Sequence, residues 1–205
     1  LECYWACART GAVAVPLSPL LTGIGLASLV KDSGAVCLVT QRSLLPVVAA
    51  VLAELPALAP SRVLLIDGGE APWGDYAALT AAAPAHEPPA ANVGPDDLFN
   101  IMYTSGTTGL PKGIMHSHRV RSMYALLLGP AWRMTPESVV LHTGAIVFNG
   151  AFVTLMPAFH LGATYVLHPQ FDAAAMIATI AAEQVTHIMV VPAQIIALLD
   201  SPAFD

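Results

Sequence analysis

The chain has 205 residues, 56% of them hydrophobic and only 11% charged, with a net charge of −6. That length suits one domain or a large part of one, and the apolar content suits a sizeable buried core. The few basic residues form no run, which argues against nucleic-acid binding, and no apolar stretch reaches the roughly 18–20 residues of a membrane-spanning helix.

The charged fraction is well below the roughly one quarter usual in soluble domains, which suits either a surface partly covered by further chain or an alanine-rich protein with a neutral surface; composition does not separate the two. The opening LECYWACARTG has no basic leader region and reads as the middle of a helix rather than a signal peptide. Cys3, Cys7 and Cys37 show no framework spacing, which points to free thiols in a reducing compartment, the cytoplasm. Cys3 and Cys7 lie one helical turn apart, and ordinary packing accounts for them.

In chain order, residues 2–10 read as a helix stopped by Gly11, and 12–17 as a short apolar strand. A helix over 22–33, with Thr22 as its cap and Gly34 as its end, precedes a buried strand over 35–40. A helix over 43–55 capped by Ser43 leads to a strand over 62–66 and the turn Asp67-Gly68-Gly69. Residues 71–95 carry Pro72, Pro84, Pro88, Pro89 and Pro95 and read as a connector with a short helix near 75–83. The main seam falls there, dividing 1–95 from 96–205.

Beyond it come a strand over 98–103, a second strand from Gly113 to His116, and a helix from Ser117 or His118 that Gly129-Pro130 should stop. A strand over 138–142, a helix over 149–156 bounded by Pro157, and a strand over 162–167 follow. Phe171-Asp172 caps a helix to about Glu183, a strand spans 186–191, and Pro192 opens a last helix in its favoured first turn. Continuous apolar strands alternating with helices predict an α/β fold of layered, largely parallel sheets with covering helices.

The stretch from Tyr103 to Gly113, YTSGTTGLPKG, stands out. Glycines allow close approach, successive backbone N–H groups can form an anion-binding nest, and hydroxyls and a lysine suit phosphate. The plain alternative is a Ser/Thr/Gly turn, but strand, loop, Pro-Lys-Gly and strand in that order favour phosphate binding. A Walker loop is excluded, because Lys112 follows Pro111 and precedes Gly113. No G-x-S-x-G elbow occurs, since Tyr103-Thr104 precede Ser105-Gly106. His116 and His118 alternate and would share a strand face, yet no H-E-x-x-H accompanies them, and no metal site is assigned. Asp96-Asp97 reads as a solvated turn.

The string YTSGTTGLPKG closely resembles the phosphate loop of the adenylate-forming superfamily: acyl-CoA synthetases, luciferases and peptide-synthetase adenylation domains. LECYWACARTGAVAVPLSPLLT, DSGAVCLVT and HLGATYVLHPQFDAAAMIATIAAEQVTHIMVVPAQIIALLD resemble further segments of the same enzymes, so nearly the whole chain is covered. The resemblance implies part of the large N-terminal domain of an enzyme most like an acyl-CoA synthetase. Such an enzyme joins a fatty or aryl acid to AMP from ATP, with Mg²⁺, and passes the acyl group to CoA. It further implies that Thr104, Ser105, Gly106, Thr107, Thr108, Gly109 and Lys112 cradle the β- and γ-phosphates.

The family's Y-G-x-T/S-E, T-G-D and C-terminal lysine segments are absent. A fragment inactive by itself is therefore expected; the alternative is a non-catalytic nucleotide-binding or scaffold piece. Where many members carry P-L-F-H, this chain has Ile146-Val147-Phe148-Asn149. The resemblance makes Phe148 and Asn149 candidates for lining the acyl pocket, whereas by itself Asn149 reads as a helix cap.

Overall fold

A computed structural model describes residues 1–21, 23–104 and 111–204. The chain forms two compact units, Leu1–Val93 with Ile101–Met115, and Gly94–Asn100 with His116–Asp205. It passes from one to the other between residues 93 and 94, 100 and 101, and 115 and 116.

In the first unit, α1 (Glu2–Thr10) ends at Gly11 as expected. The strand expected over 12–17 does not form: only Ala14 makes a bridge, its carbonyl accepting the Ile101 N–H at 3.0 Å. Pro16 cannot donate to a ladder, and apart from the Ala14 bridge residues 12–17 form no regular strand. Helix α2 (Gly23–Ser33) follows, and its expected cap Thr22 lies outside the described residues. β1 (Leu38–Thr40) and β2 (Val63–Leu65) pair in parallel, Leu38 opposite Val63, over fewer residues than the apolar runs suggested.

Helix α3 (Leu45–Glu54) is entered through a 3₁₀ turn, Arg42–Leu44. Ser43 is therefore not the cap; its hydroxyl accepts from Gln41 Nε2 at 2.7 Å, and Pro46 takes the first turn. An unanticipated two-residue strand, β3 (Gly74–Asp75), joins β2 in parallel. Asp75 then caps α4 (Tyr76–Ala82), accepting from Ala78 N–H at 2.9 Å and from Gly69 N–H at 3.1 Å. These two N–H groups, Ala78 first, hold the Asp75 carboxyl below the usual carboxylate value. Ala27 and Val30 of α2, Val51 of α3 and Leu58 form the core of this unit.

β4 (Leu98–Thr104) and β5 (Lys112–Ser117) are hydrogen-bonded neighbours, and both units draw residues from each. In the second unit Ser117 caps α5 (His118–Ala131), its Oγ accepting from Val120 N–H at 3.3 Å. There follow β6 (Val139–Thr143), α6 (Asn149–Leu161), β7 (Thr164–His168), α7 (Ala173–Ala182), β8 (His187–Ile188) and α8 (Pro192–Leu199). β7, β6 and β8 form a parallel sheet with β6 central. Alternation along β6 serves both faces: Val140 packs with Met134 and Ala158, and the next residue, Leu141, packs with Met176 and Leu198. That two-sided burial explains the uninterrupted apolar strand.

Two expected helix ends are corrected. α5 runs through Gly129-Pro130 to Ala131, and α6 runs through Pro157 to Leu161. Gly129 is where the two helices meet closely: a Cβ there would stand 3.3 Å from Leu161 Cδ1 and 3.5 Å from Pro157 Cβ. Pro130 falls in the last turn of α5, so the single backbone bond it removes lies at the helix end, and Pro157 is buried within the packed helix. α6 then ends at Gly162, whose φ of 74° is a left-handed value suited to glycine. The strand expected over 186–191 shrinks to β8, although Thr186 N–H still donates to the Val139 carbonyl at 2.9 Å. Asp172 caps α7 as expected, accepting from Ala175 N–H at 2.7 Å. Among the described residues, no helix is long and apolar enough to cross a membrane.

Candidate functional site

Of the residues expected to hold phosphate, Thr104 closes β4 and Lys112 opens β5. Both are exposed, as an anion-binding hydroxyl and ammonium need to be. Ser105, Gly106, Thr107, Thr108 and Gly109 lie outside the described residues.

The roots of the intervening loop are built tightly. A Cβ on Gly113 would stand 3.0 Å from Ile101 Cγ2 and 3.2 Å from Tyr103 Cε1, so the Tyr103 ring rests closely on this position and would have to give by a few tenths of an ångström to admit a methyl group. The Tyr103 hydroxyl donates to Asp32 Oδ2 at 2.5 Å and lies 3.4 Å from the Leu29 carbonyl oxygen. Burial, then the Asp32 carboxylate, pushes the Tyr103 phenol well above its ordinary pKa, so the hydroxyl keeps its proton.

Phe148 and Asn149 belong to the second unit, whereas Thr104 and Lys112 belong to the first. Phe148 is 61% exposed and holds the cap position of α6 without a side-chain cap bond. The capping reading of Asn149 is thus corrected: it is the first helical residue, and its amide is spent elsewhere. Its Oδ1 accepts from Arg121 at 2.8 Å, and its Nδ2 donates to the Tyr124 hydroxyl at 3.1 Å.

Arg121 was not singled out from the sequence, yet it organises this region. It is 1% exposed, and its Nε donates to Asn100 Oδ1 at 2.9 Å. Its guanidinium carbon stands 4.2 Å from the centre of the Phe152 ring and 5.2 Å from that of Tyr124. One planar cation therefore joins β4, through Asn100, to the start of α6. Beside this cluster, Val120, Met123, Tyr124 and Leu127 of α5 and Val153 of α6 line an open apolar groove of about 430 Å³.

The histidines divide by environment. His116 lies buried in β5, but His118 is the first residue of α5, so the two do not share a strand face. His118 instead meets the Phe99 ring edge-on at 5.3 Å. His142 on β6 is 9% exposed and stacks on Tyr165, and burial lowers its pKa against an opposing backbone contact at Ala145. Among the described residues, no three His, Cys, Asp or Glu side chains are grouped to hold a metal ion. Asp96 does more than turn: it accepts two bonds from Arg119, at 2.8 and 2.9 Å, which hold its carboxyl below the usual value.

A family model described as "AMP-binding enzyme" matches residues 1–205. The indoleacetate–CoA ligase of Aromatoleum aromaticum is 32% identical over 206 residues, covering all of this chain and 40% of that protein. A linear gramicidin synthase polypeptide of Brevibacillus parabrevis is 35% identical over 162 residues, covering 78% of this chain and 2% of that protein. Among solved structures, ATP-bound MatB from Rhodopseudomonas palustris superimposes with a TM-score of 0.82 at 30% identity, covering 98% of this chain and 38% of that one. The chain thus spans at most about two fifths of these relatives. The α/β fold with parallel sheets expected from the resemblance is the fold observed.

Proposed function

The chain belongs to the AMP-binding enzyme family, and from that premise we propose that it is part of the large domain of an ATP-dependent ligase that activates a carboxylic acid as its acyl-adenylate and transfers it to CoA. The observation that carries this reading is the YTSGTTGLPKG string, whose ends place an exposed hydroxyl and an exposed ammonium on neighbouring strands.

In the reaction a carboxylate oxygen bonds to the α-phosphorus of ATP as the bond to the bridging pyrophosphate oxygen breaks. The CoA thiol then takes the acyl group and AMP leaves with the bonding pair. Thr104, Ser105, Gly106, Thr107, Thr108 and Gly109 supply hydrogen bonds to the β- and γ-phosphates, and Lys112 supplies charge that grows in value as pyrophosphate departs. Mg²⁺ would enter on the phosphates and would neutralise charge there; among the described residues no group of three His, Cys, Asp or Glu side chains is placed to hold it. Phe148 is the exposed side chain assigned to the acyl site, and Asn149 shapes that site from behind through its bonds to Arg121 and Tyr124. The CoA ligases among the relatives support CoA as acceptor and leave the acid open between aryl and fatty.

The test is ATP-dependent pyrophosphate release by the full-length protein with a panel of aryl and fatty acids, with and without CoA. Release that depends on an acid, and a fall of about 10²-fold in kcat on Lys112→Ala, are expected. No release with any acid, or full activity after Lys112→Ala, refutes the reading. A second reading, adenylation of an amino acid for a carrier-bound thiol, is favoured by the 35% identity to the linear gramicidin synthase. Amino-acid-dependent release without thioester formation on CoA selects it.

A further inference from the structure

The two strands that flank the proposed phosphate loop, already hydrogen-bonded to each other, are also bridged by one side chain. Tyr103 immediately precedes Thr104, and its ring lies across Gly113, which immediately follows Lys112. The same ring is moored at its other end: its hydroxyl donates to Asp32 Oδ2 at 2.5 Å, with the Leu29 carbonyl at 3.4 Å. Asp32 is the last residue but one of α2, and Leu29 sits one turn earlier. A short hydrogen bond from a hydroxyl to a carboxylate is among the stronger kinds and is strongly directional. Both roots of the loop, and with them Thr104 and Lys112, are thereby referred to the C-terminal turn of α2. A generic packing tyrosine needs neither a bare glycine beneath its ring nor a carboxylate at its tip.

We propose that Tyr103 is a positioning residue for the phosphates of ATP, with Asp32 as its anchor and Gly113 as the seat of its ring. This rests on reading 104–112 as the phosphate loop. Tyr103 touches no reacting atom; it sets where the hydroxyl of Thr104 and the ammonium of Lys112 stand. Loss of its hydroxyl should therefore weaken the use of ATP and leave the use of the acid alone. Asparagine at position 32 still offers an oxygen to the tyrosine, whereas alanine offers none.

The experiment uses the full-length protein, measuring pyrophosphate release with ATP and acid varied separately, together with thermal unfolding. Tyr103→Phe and Asp32→Ala are each expected to lower kcat/KM for ATP about tenfold, a fraction of what a hydrogen bond to a charged group can contribute. The KM for the acid should stay within about twofold, and Asp32→Asn should recover most of the loss. Wild-type kcat/KM for ATP in Tyr103→Phe, alongside a collapse in Lys112→Ala, overturns the proposal and leaves the phosphate-loop reading standing. Equal losses for ATP and acid, accompanied by early unfolding, also overturn it, because a merely structural tyrosine predicts them. If Tyr103→Phe fails to fold, the Asp32→Ala and Asp32→Asn pair decides by the same readouts. An unaffected Lys112→Ala overturns the phosphate-loop reading and this proposal with it.

Discussion

Replacing Arg121 with methionine is expected to destabilise the protein by about 2–4 kcal/mol, because it strands buried neutral amide groups at roughly 1–3 kcal/mol each while removing the buried charge itself. The residue is 1% exposed and bonds to Asn100 and Asn149 at 2.9 and 2.8 Å. Each bond from a charged donor contributes on the order of 1.5–3 kcal/mol, and the stacked Phe152 ring adds roughly 1–2. Against this stands the desolvation of the cation, several kcal/mol, which methionine does not incur. What decides the sign is Asn100. It is fully buried, its Nδ2 has no hydrogen-bond partner among the described residues, and Arg121→Met leaves its Oδ1 stranded as well. The unfolding transition of this part of the full-length protein should then fall by about 10 °C, given roughly 2–4 °C per kcal/mol for a unit of about 200 residues. Arg121→Lys should recover part of the loss, because one ammonium cannot reach both amide oxygens in the plane of a fork. Adding Asn100→Leu to Arg121→Met should restore at least half of it, since both stranded groups are gone. An Arg121→Met protein that melts within about 1 °C of wild type refutes the reasoning and makes the cation a tolerated passenger.

Two further outcomes concern the second unit. His142 has its pKa depressed by burial, so the unfolded chain binds more protons below the ordinary histidine value of about 6.5. Stability should hold above that pH and decline as pH falls from about 6.5 towards 5, and His142→Phe, measured by denaturant titration at both ends of the range, should flatten the decline; an unchanged slope counts against it. Asp172→Ala removes the acceptor for Ala175 N–H at the start of α7 and should cost about 1 kcal/mol by the same titration, whereas Asp172→Asn or Asp172→Ser should cost only tenths.

Where a local rule and the tertiary environment agreed, the sequence was readable. Gly11, Asp172 and Pro192 marked helix boundaries because the groups they satisfy or omit lie within one turn. Pro157 misled because its local effect is outweighed by the packing of α5 on α6 around Gly129, which no one-dimensional rule contains. β3 escaped notice because two residues carry no periodicity. The string YTSGTTGLPKG was legible as a family resemblance, but the mooring of Tyr103 to Asp32 joins positions 71 apart in sequence. Arg121 was the largest omission. One signal was available: Asn100 interrupts the apolar strand LFNIMY, and a buried amide there must find a polar partner. The sequence offered no means of choosing among the arginines for that partner. Asn149 looked like a cap because asparagine before an apolar helix usually is one; its amide is instead recruited by a side chain 28 residues away.

Since β4 changes units after Asn100 and β5 changes back after Met115, neither unit is encoded by an unbroken stretch of chain. A gene split in the proline-rich connector would send Asp32 to one polypeptide and Tyr103 and Gly113 to the other. Joining the two halves again would require an insertion: residues 101–115, which carry the end of β4 and the start of β5, would have to slot beside α2 as a unit. Two such polypeptides would thus report their own reassembly, with the Tyr103–Asp32 hydrogen bond forming again only when residues 101–115 meet α2.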